Sequence, residues 1–237
     1  MTIRAVLWDV DDTLFDYTGA DRVGIRNHLA AEGLTELFPS VDHALRHWRA
    51  QTDLHWARFA ARDTDFQGQR RARVRGFLGA DLDNAEADSW FERYVAHFEA
   101  GWALFPDSLA ALDWLAGDYR QAVLSNSSLA YQERKLGILG VRQYFEAVLC
   151  SAELGASKPE AAAFHGACDA LNLDPSEVLY VGNDPDLDAA GAVAAGLVGI
   201  WLDRDGVAGR PGLPRITDLG QLPAHLNGVC PPRTVRS

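Results

Sequence analysis

The feature that most constrains this chain is a repeated alternation. Short apolar runs stop abruptly at polar or acidic residues, and each is followed by a stretch with helical spacing. Residues 4–9 read Arg-Ala-Val-Leu-Trp-Asp, and similar runs recur at 122–125, 147–150, 178–181 and 197–202. Runs this short and this apolar suit strands buried on both faces. Helices are predicted between them at 108–116, 130–139, 160–171 and 186–195, the last closed by Gly196 as a C-cap. Strands alternating with helices imply βαβ units, and therefore an α/β fold built on an open parallel sheet. The block from 16 to 100 departs from this pattern. It has helical periodicity throughout and breaks near 33–39, 63–68 and 79–84, which predicts an all-helical insertion after the first strand, with the core formed by 1–15 and 101–237.

With 237 residues and 48% hydrophobic content, the chain can bury a sizeable core. A net charge of −11 repels phosphate backbones and anionic lipid on average, so neither a nucleic-acid polymer nor a membrane is an expected partner. Cys150, Cys168 and Cys230 have no zinc-like spacing, and their odd number argues against a disulfide framework, which fits a reducing compartment. Residues 1–14 carry Arg4, Asp9, Asp11 and Asp12, unlike a signal peptide or anchor, and no run is apolar for about 18 residues. The expected location is cytoplasmic. Residues 231–237 read as a frayed polar tail.

In a parallel sheet, ligands bind beyond the carboxyl ends of the strands. The first run ends in Asp9-Val10-Asp11-Asp12-Thr13-Leu14 and the second in Ser125-Asn126-Ser127. The third is followed by Ser157-Lys158-Pro159, and the fourth ends in Gly182-Asn183-Asp184-Pro185-Asp186-Leu187-Asp188. Clustered carboxylates repel unless a cation neutralises them, and an all-oxygen donor set is what hard Mg²⁺ prefers. A hydroxyl and an ammonium nearby suit an anionic phosphoryl group. Lys158 stands out here, because it and Lys135 are the chain's only lysines. Two carboxylates two residues apart can divide labour, one as nucleophile and the other as proton donor and acceptor.

With these four segments in this order, the sequence resembles the haloacid dehalogenase superfamily, subfamily I, in its phosphatase branch. The resemblance covers residues 1–15 and about 101–225 and implies a Rossmann-like core, with the helical insertion as a cap domain that closes over the site. It implies that Asp9 is the nucleophile forming an aspartyl-phosphate, and that Asp11 protonates the leaving oxygen and then activates water. Ser125 and Asn126 would face the phosphoryl group, Lys158 would neutralise it and hold Asp9, and Thr13 would orient the Asp9 loop. Mg²⁺ would bind Asp9, the backbone carbonyl of Asp11 and the fourth segment. Dehalogenating members lack an acid at the second position after the nucleophile, so Asp11 favours phosphate-ester hydrolysis.

The commoner family pattern has Asp directly after the glycine, whereas this chain has Asn183 and then Asp184. Asp184 is therefore the preferred acidic metal ligand, and Asp188 either binds metal through water or holds Lys158. The implied activity is Mg²⁺-dependent hydrolysis of a small phosphorylated metabolite, such as a nucleotide, a sugar phosphate or phosphoglycolate. A sugar phosphomutase and a non-catalytic phosphate-binding protein are the alternatives. In the insertion, His43 and His47 share a helix face but lack an evident third metal ligand. Trp48 and Trp56, with His47 and His55, read as helical core or as the lining of a substrate slot. Arg70, Arg71, Arg73 and Arg75 read as a solvated face or as a dock for a second substrate anion.

Overall fold

A computed structural model describes residues 2–206 and 210–227. Cys230 and the tail at 231–237 lie outside the described residues. The chain divides into two compact units, one formed by the segments up to Asp16 and from Leu104 onward, the other by Tyr17–Ala103.

The first unit is a six-stranded parallel sheet in the order β3-β2-β1-β4-β5-β6. Its strands are β1 (Ala5–Trp8), β2 (Arg120–Ser125), β3 (Ala147–Cys150), β4 (Val178–Gly182), β5 (Val198–Leu202) and β6 (Arg215–Ile216). This is the order of a doubly wound Rossmann-like sheet, whose sequence reverses direction beside β1. The register pairs Trp8 with Val123 of β2 on one side and Val181 of β4 on the other, so β1 ends two residues before β2 and one before β4. Both faces are covered, which explains the unbroken apolar runs. Ala5, Leu7, Leu124 and Tyr180 pack with Phe164 on one face, where Phe164 meets Tyr180 edge to face at 5.2 Å. Truncating a ring buried like Phe164 to alanine costs about 3–5 kcal/mol. Trp8, also fully buried, donates its indole N–H to Gln121 Oε1 at 3.1 Å, and Gln121 in turn donates to Leu112 O at 3.0 Å. Cys150 and Cys168 are free and buried, and burial pushes their thiols up to about 12 and about 11.

The structure differs from the sequence expectation at several short elements, two of which lie between residues 185 and 216. The helix expected at 186–195 is a wide π-helical turn, Pro185–Ala190, running into a single α-helical turn, Gly191–Ala194, with Gly196 beyond it at φ +89°. The Asp184 side chain accepts from the N–H groups of Asp186 and Leu187, which caps this turn directly after the strand. The second difference is β6, two residues long and too short to leave a periodic signal.

The second unit is all-helical: α1 (Tyr17–Ala31), a 3₁₀ turn at Thr35–Leu37, α2 (Val41–Ala60), α3 (Phe66–Leu78) and α4 (Asn84–Ala100). The starts are capped by side chains: Ser40 accepts from His43 N, Asp65 from Gly68 N, and Asp83 forms a reciprocal capping box with Glu86. Trp48 is fully buried against Phe77, Trp90 and Tyr94, so it is core, whereas Trp56 is exposed. His47 contacts Gly76 O at 3.2 Å, and His55 is buried. Arg71 pairs with Asp88 through two bonds of 2.8 and 2.6 Å, and Arg75 donates to Leu82 O and Asn84 Oδ1. Arg70 and Arg73 lie over aromatic rings, both of them against Phe91. Among the described residues no helix is long and apolar enough to cross a membrane.

Candidate active site

The sheet edge beyond β1, β2 and β4 gathers the residues singled out in the sequence. Asp9 N donates to Val181 O at 2.9 Å, extending the strand pairing one residue past β1. The chain then turns tightly. The N–H groups of Thr13, Leu14 and Phe15 all reach Val10 O, and Asp12 adopts φ +60°, a conformation that Asp tolerates better than most residues. The turn is braced from outside, since Arg204 donates to Thr13 O at 2.8 Å, binds Asp107 through two 3.0 Å bonds and lies 3.8 Å over the Phe105 ring. Inside it, Thr13 Oγ donates to Asp9 Oδ2 at 2.8 Å.

Lys158 is buried, and its three donors converge on Asp9 Oδ1 at 2.7 Å, Asp188 Oδ1 at 2.7 Å and Tyr180 Oη at 2.9 Å. The residue next to Ser125 holds it there. Asn126, expected beside the substrate, donates to Lys158 O at 2.9 Å and accepts from Lys158 N at 2.8 Å, so its amide clamps the lysine backbone. Asp188 Oδ2 accepts from Asp184 N at 2.9 Å, which engages both carboxylate oxygens with protein donors. Burial pushes Asp9 up to about 7, with Lys158 opposing and Asp188 and Asp11 adding to the rise. Burial also works against the Lys158 ammonium, but Asp188 and Asp9 outweigh it and hold the group well above its ordinary value. Burial is therefore the main reason Asp9 is hard to ionise, and one cation facing two buried carboxylates, which leaves the cluster one positive charge short, adds to it.

Helices α5 (Ser108–Leu115) and α6 (Leu129–Ile138) flank β2, and Ser125 and Asp11 are linked through α6. Gln132 Nε2 donates to Ser125 Oγ at 3.0 Å and to Asp11 Oδ2 at 3.1 Å, and Lys135 Nζ pairs with Asp11 Oδ1. Sequence reading missed Gln132, Lys135 and Tyr180. Lys135 had a signal, being one of only two lysines and lying ten residues after Ser125.

The fourth segment contributes oxygens rather than a carboxylate cluster. Asn183 Oδ1 lies 3.4 Å from Thr13 Oγ, so it and Asp9 Oδ2 face the same hydroxyl. Asp184 Oδ1 caps the π-helical turn, leaving Oδ2 without a protein donor among the described residues. Among the described residues no group of three or more His, Cys, Asp and Glu side chains is arranged to hold a metal. The site's oxygens are instead the carboxylates of Asp9 and Asp184 and the amide of Asn183, and they stand beside a buried cluster short of positive charge. That donor chemistry and charge deficit fit a hard divalent cation.

Comparison with known proteins is consistent with this geometry. The model of the haloacid dehalogenase-like hydrolases matches residues 3–196. The chain is 24% identical to the N-acylneuraminate-9-phosphatase of Homo sapiens over 241 residues, covering 96% of this chain and 95% of that protein. It is 28% identical to the N-acetylmuramic acid 6-phosphate phosphatase of Pseudomonas aeruginosa over 192 residues, covering 78% and 75%. Its fold is similar to the crystal structure of the HAD-hydrolase YfnB from Bacillus subtilis bound to magnesium. There the TM-score is 0.79 at 20% identity, covering 96% of this chain and all of that one.

Proposed function

The chain belongs to the haloacid dehalogenase-like hydrolases, and we propose that within that family it is a Mg²⁺-dependent phosphomonoesterase that acts on a small phosphorylated metabolite through an aspartyl-phosphate. The observation that carries this reading is the pair Asp9 and Asp11 at one sheet edge. Asp9 Oδ1 is held by Lys158 at 2.7 Å, and the Asp11 side chain is one-third exposed. The phosphatase relatives named above act on small phosphorylated metabolites by their names, which supports the same class here.

In the first half-reaction an Asp9 oxygen attacks phosphorus, the phosphorus–oxygen ester bond breaks, and Asp11 delivers its proton to the departing alkoxide. In the second, Asp11 takes a proton from water as that water attacks phosphorus. Inorganic phosphate leaves and the Asp9 carboxylate is regenerated. Ser125 Oγ donates to a non-bridging phosphoryl oxygen, and Lys158 supplies positive charge to the phosphoryl group and fixes Asp9. Asp9, the Asp11 carbonyl, Asn183 and Asp184 would hold Mg²⁺, which supplies positive charge to the same group when bound. Asp188 is assigned to holding Lys158, with which its Oδ1 makes a buried 2.7 Å ion pair. Catalysis here is chiefly positioning and charge stabilisation.

The test is phosphate release from a panel of phosphorylated metabolites, with Mg²⁺ and with chelator, comparing wild type with Asp9→Asn. Metal-dependent release that disappears in the variant is expected. Undiminished release by Asp9→Asn overturns the reading.

A further inference from the structure

Building on the phosphomonoesterase reading, we propose that Gln132 and Lys135 are positioning residues that fix the Asp11 carboxylate and the Ser125 hydroxyl relative to one another. Proton transfer to the leaving group and recognition of the phosphoryl oxygen would then be aligned by one face of one helix.

The two residues are three apart on α6 and therefore lie on the same face. Both are fully buried, whereas the Asp11 side chain is 34% exposed and the Lys135 side chain 0%. The ion pair is thus anchored from its buried, cationic end, and the carboxylate is the end that reaches outward. Burying a lysine costs several kcal/mol unless its charge is compensated. Lys135 meets that need with Asp11 and with the faces of Phe15 and Tyr131, at 4.7 and 4.8 Å.

Gln132 adds direction to the contact. Only the NH₂ end of its amide can face a carboxylate, so Asp11 determines which way the amide points. The same NH₂ group donates to Ser125 Oγ at 3.0 Å. The serine oxygen therefore acts as acceptor toward Gln132, and its own proton is left for a phosphoryl oxygen. The chain Asp11, Gln132, Ser125 couples the acid of the first segment to the hydroxyl of the second, across sequence separations of 121 and 7 residues.

The test is a double-mutant cycle over Lys135→Met and Asp11→Asn in the full chain with Mg²⁺. The readout is the single-turnover rate of Asp9 phosphorylation, measured with p-nitrophenyl phosphate and with an alkyl phosphate. p-Nitrophenolate departs without a proton, whereas an alkoxide does not. If Lys135 acts through Asp11, Lys135→Met slows the alkyl ester at least about tenfold and p-nitrophenyl phosphate at most about threefold, with KM changed less than about twofold. In the Asp11→Asn background, Lys135→Met then has no further effect. Equal losses on both esters, or an undiminished loss in the Asp11→Asn background, reduce Lys135 to scaffolding and overturn the inference. If melting shows that Lys135→Met does not fold, Gln132→Met goes through the same cycle with the same expectations. A wild type that releases phosphate from neither ester overturns the phosphatase reading and this inference with it. An active wild type with an unimpaired Lys135→Met overturns the inference alone.

Discussion

The Asp188 carboxyl group occupies the space that a side chain on Gly182 would need: a Cβ built there would lie 2.3 Å from Asp188 Cγ. Gly182 closes β4, and the π-helical turn after it carries Asp188 back across the strand end to Lys158. The glycine is required for this close approach rather than for an unusual backbone angle. Gly182→Ala should push Asp188 off Lys158, Tyr180 and Asp184 N, destabilising the protein by about 2–4 kcal/mol. Denaturant melts measure the stability change, and a variant as stable as wild type would refute the packing argument.

Lys158 faces Asp9 and Asp188 in a buried setting, so removing one partner should cost more than a surface ion pair is worth. Asp188→Asn leaves Lys158 and Asp9 as a balanced pair and weakens the hydrogen bonds that Asp188 accepts from Lys158, Tyr180 and Asp184 N, so it should destabilise by about 1–2 kcal/mol. It should also slow turnover by weakening the hold on Lys158. Melts and steady-state kinetics on one preparation check both effects, and an unchanged kcat would show that Asp188 supports the fold without supporting the chemistry.

Asn183 supplies an oxygen without a charge beside Asp9 and Thr13. Asn183→Asp should therefore tighten Mg²⁺ binding, lowering the half-saturating Mg²⁺ concentration by about threefold or more, since a carboxylate binds a hard cation more strongly than an amide does. A Mg²⁺ titration of phosphate release reads this directly. No change in the Mg²⁺ requirement would remove Asn183 from the ligand set.

His28 lies inside the helical unit, 4.3 Å from the Trp90 ring, and neither ring nitrogen has a hydrogen-bond partner among the described residues. Burial lowers it from 6.5 to about 4. Between those values the unfolded chain binds a proton that the folded one does not, so stability rises with pH through this window and falls as pH drops from about 6.5 toward 4. The loss is on the order of 3 kcal/mol and levels off below about 4, where both states are protonated. Urea melts from pH 4 to 7.5 should show this slope in wild type and a shallower one in His28→Phe. Parallel slopes would show that another group titrates.

The sequence by itself determined the fold class and the order of the site segments. Both are local signals: an apolar run buried on two faces has no polar alternation, and the polar residues that end it fall at a strand's carboxyl end. The places of Asp9, Asp11, Thr13 and Ser125 at or just beyond strand ends were legible for that reason, as were the helical breaks of the insertion. Only the tertiary structure decided which side chains meet. Asp9 and Lys158 are 149 residues apart, and Asp11 and Lys135 are 124 apart. Such contacts depend on the register that sets β1 between β2 and β4, and on which face of α6 turns toward that edge. The same dependence moved Asn126 from substrate to the Lys158 backbone and gave Asp188 to Lys158. Periodicity within a short window records whether a residue is buried, but the identity of its partner is fixed only when distant strands align.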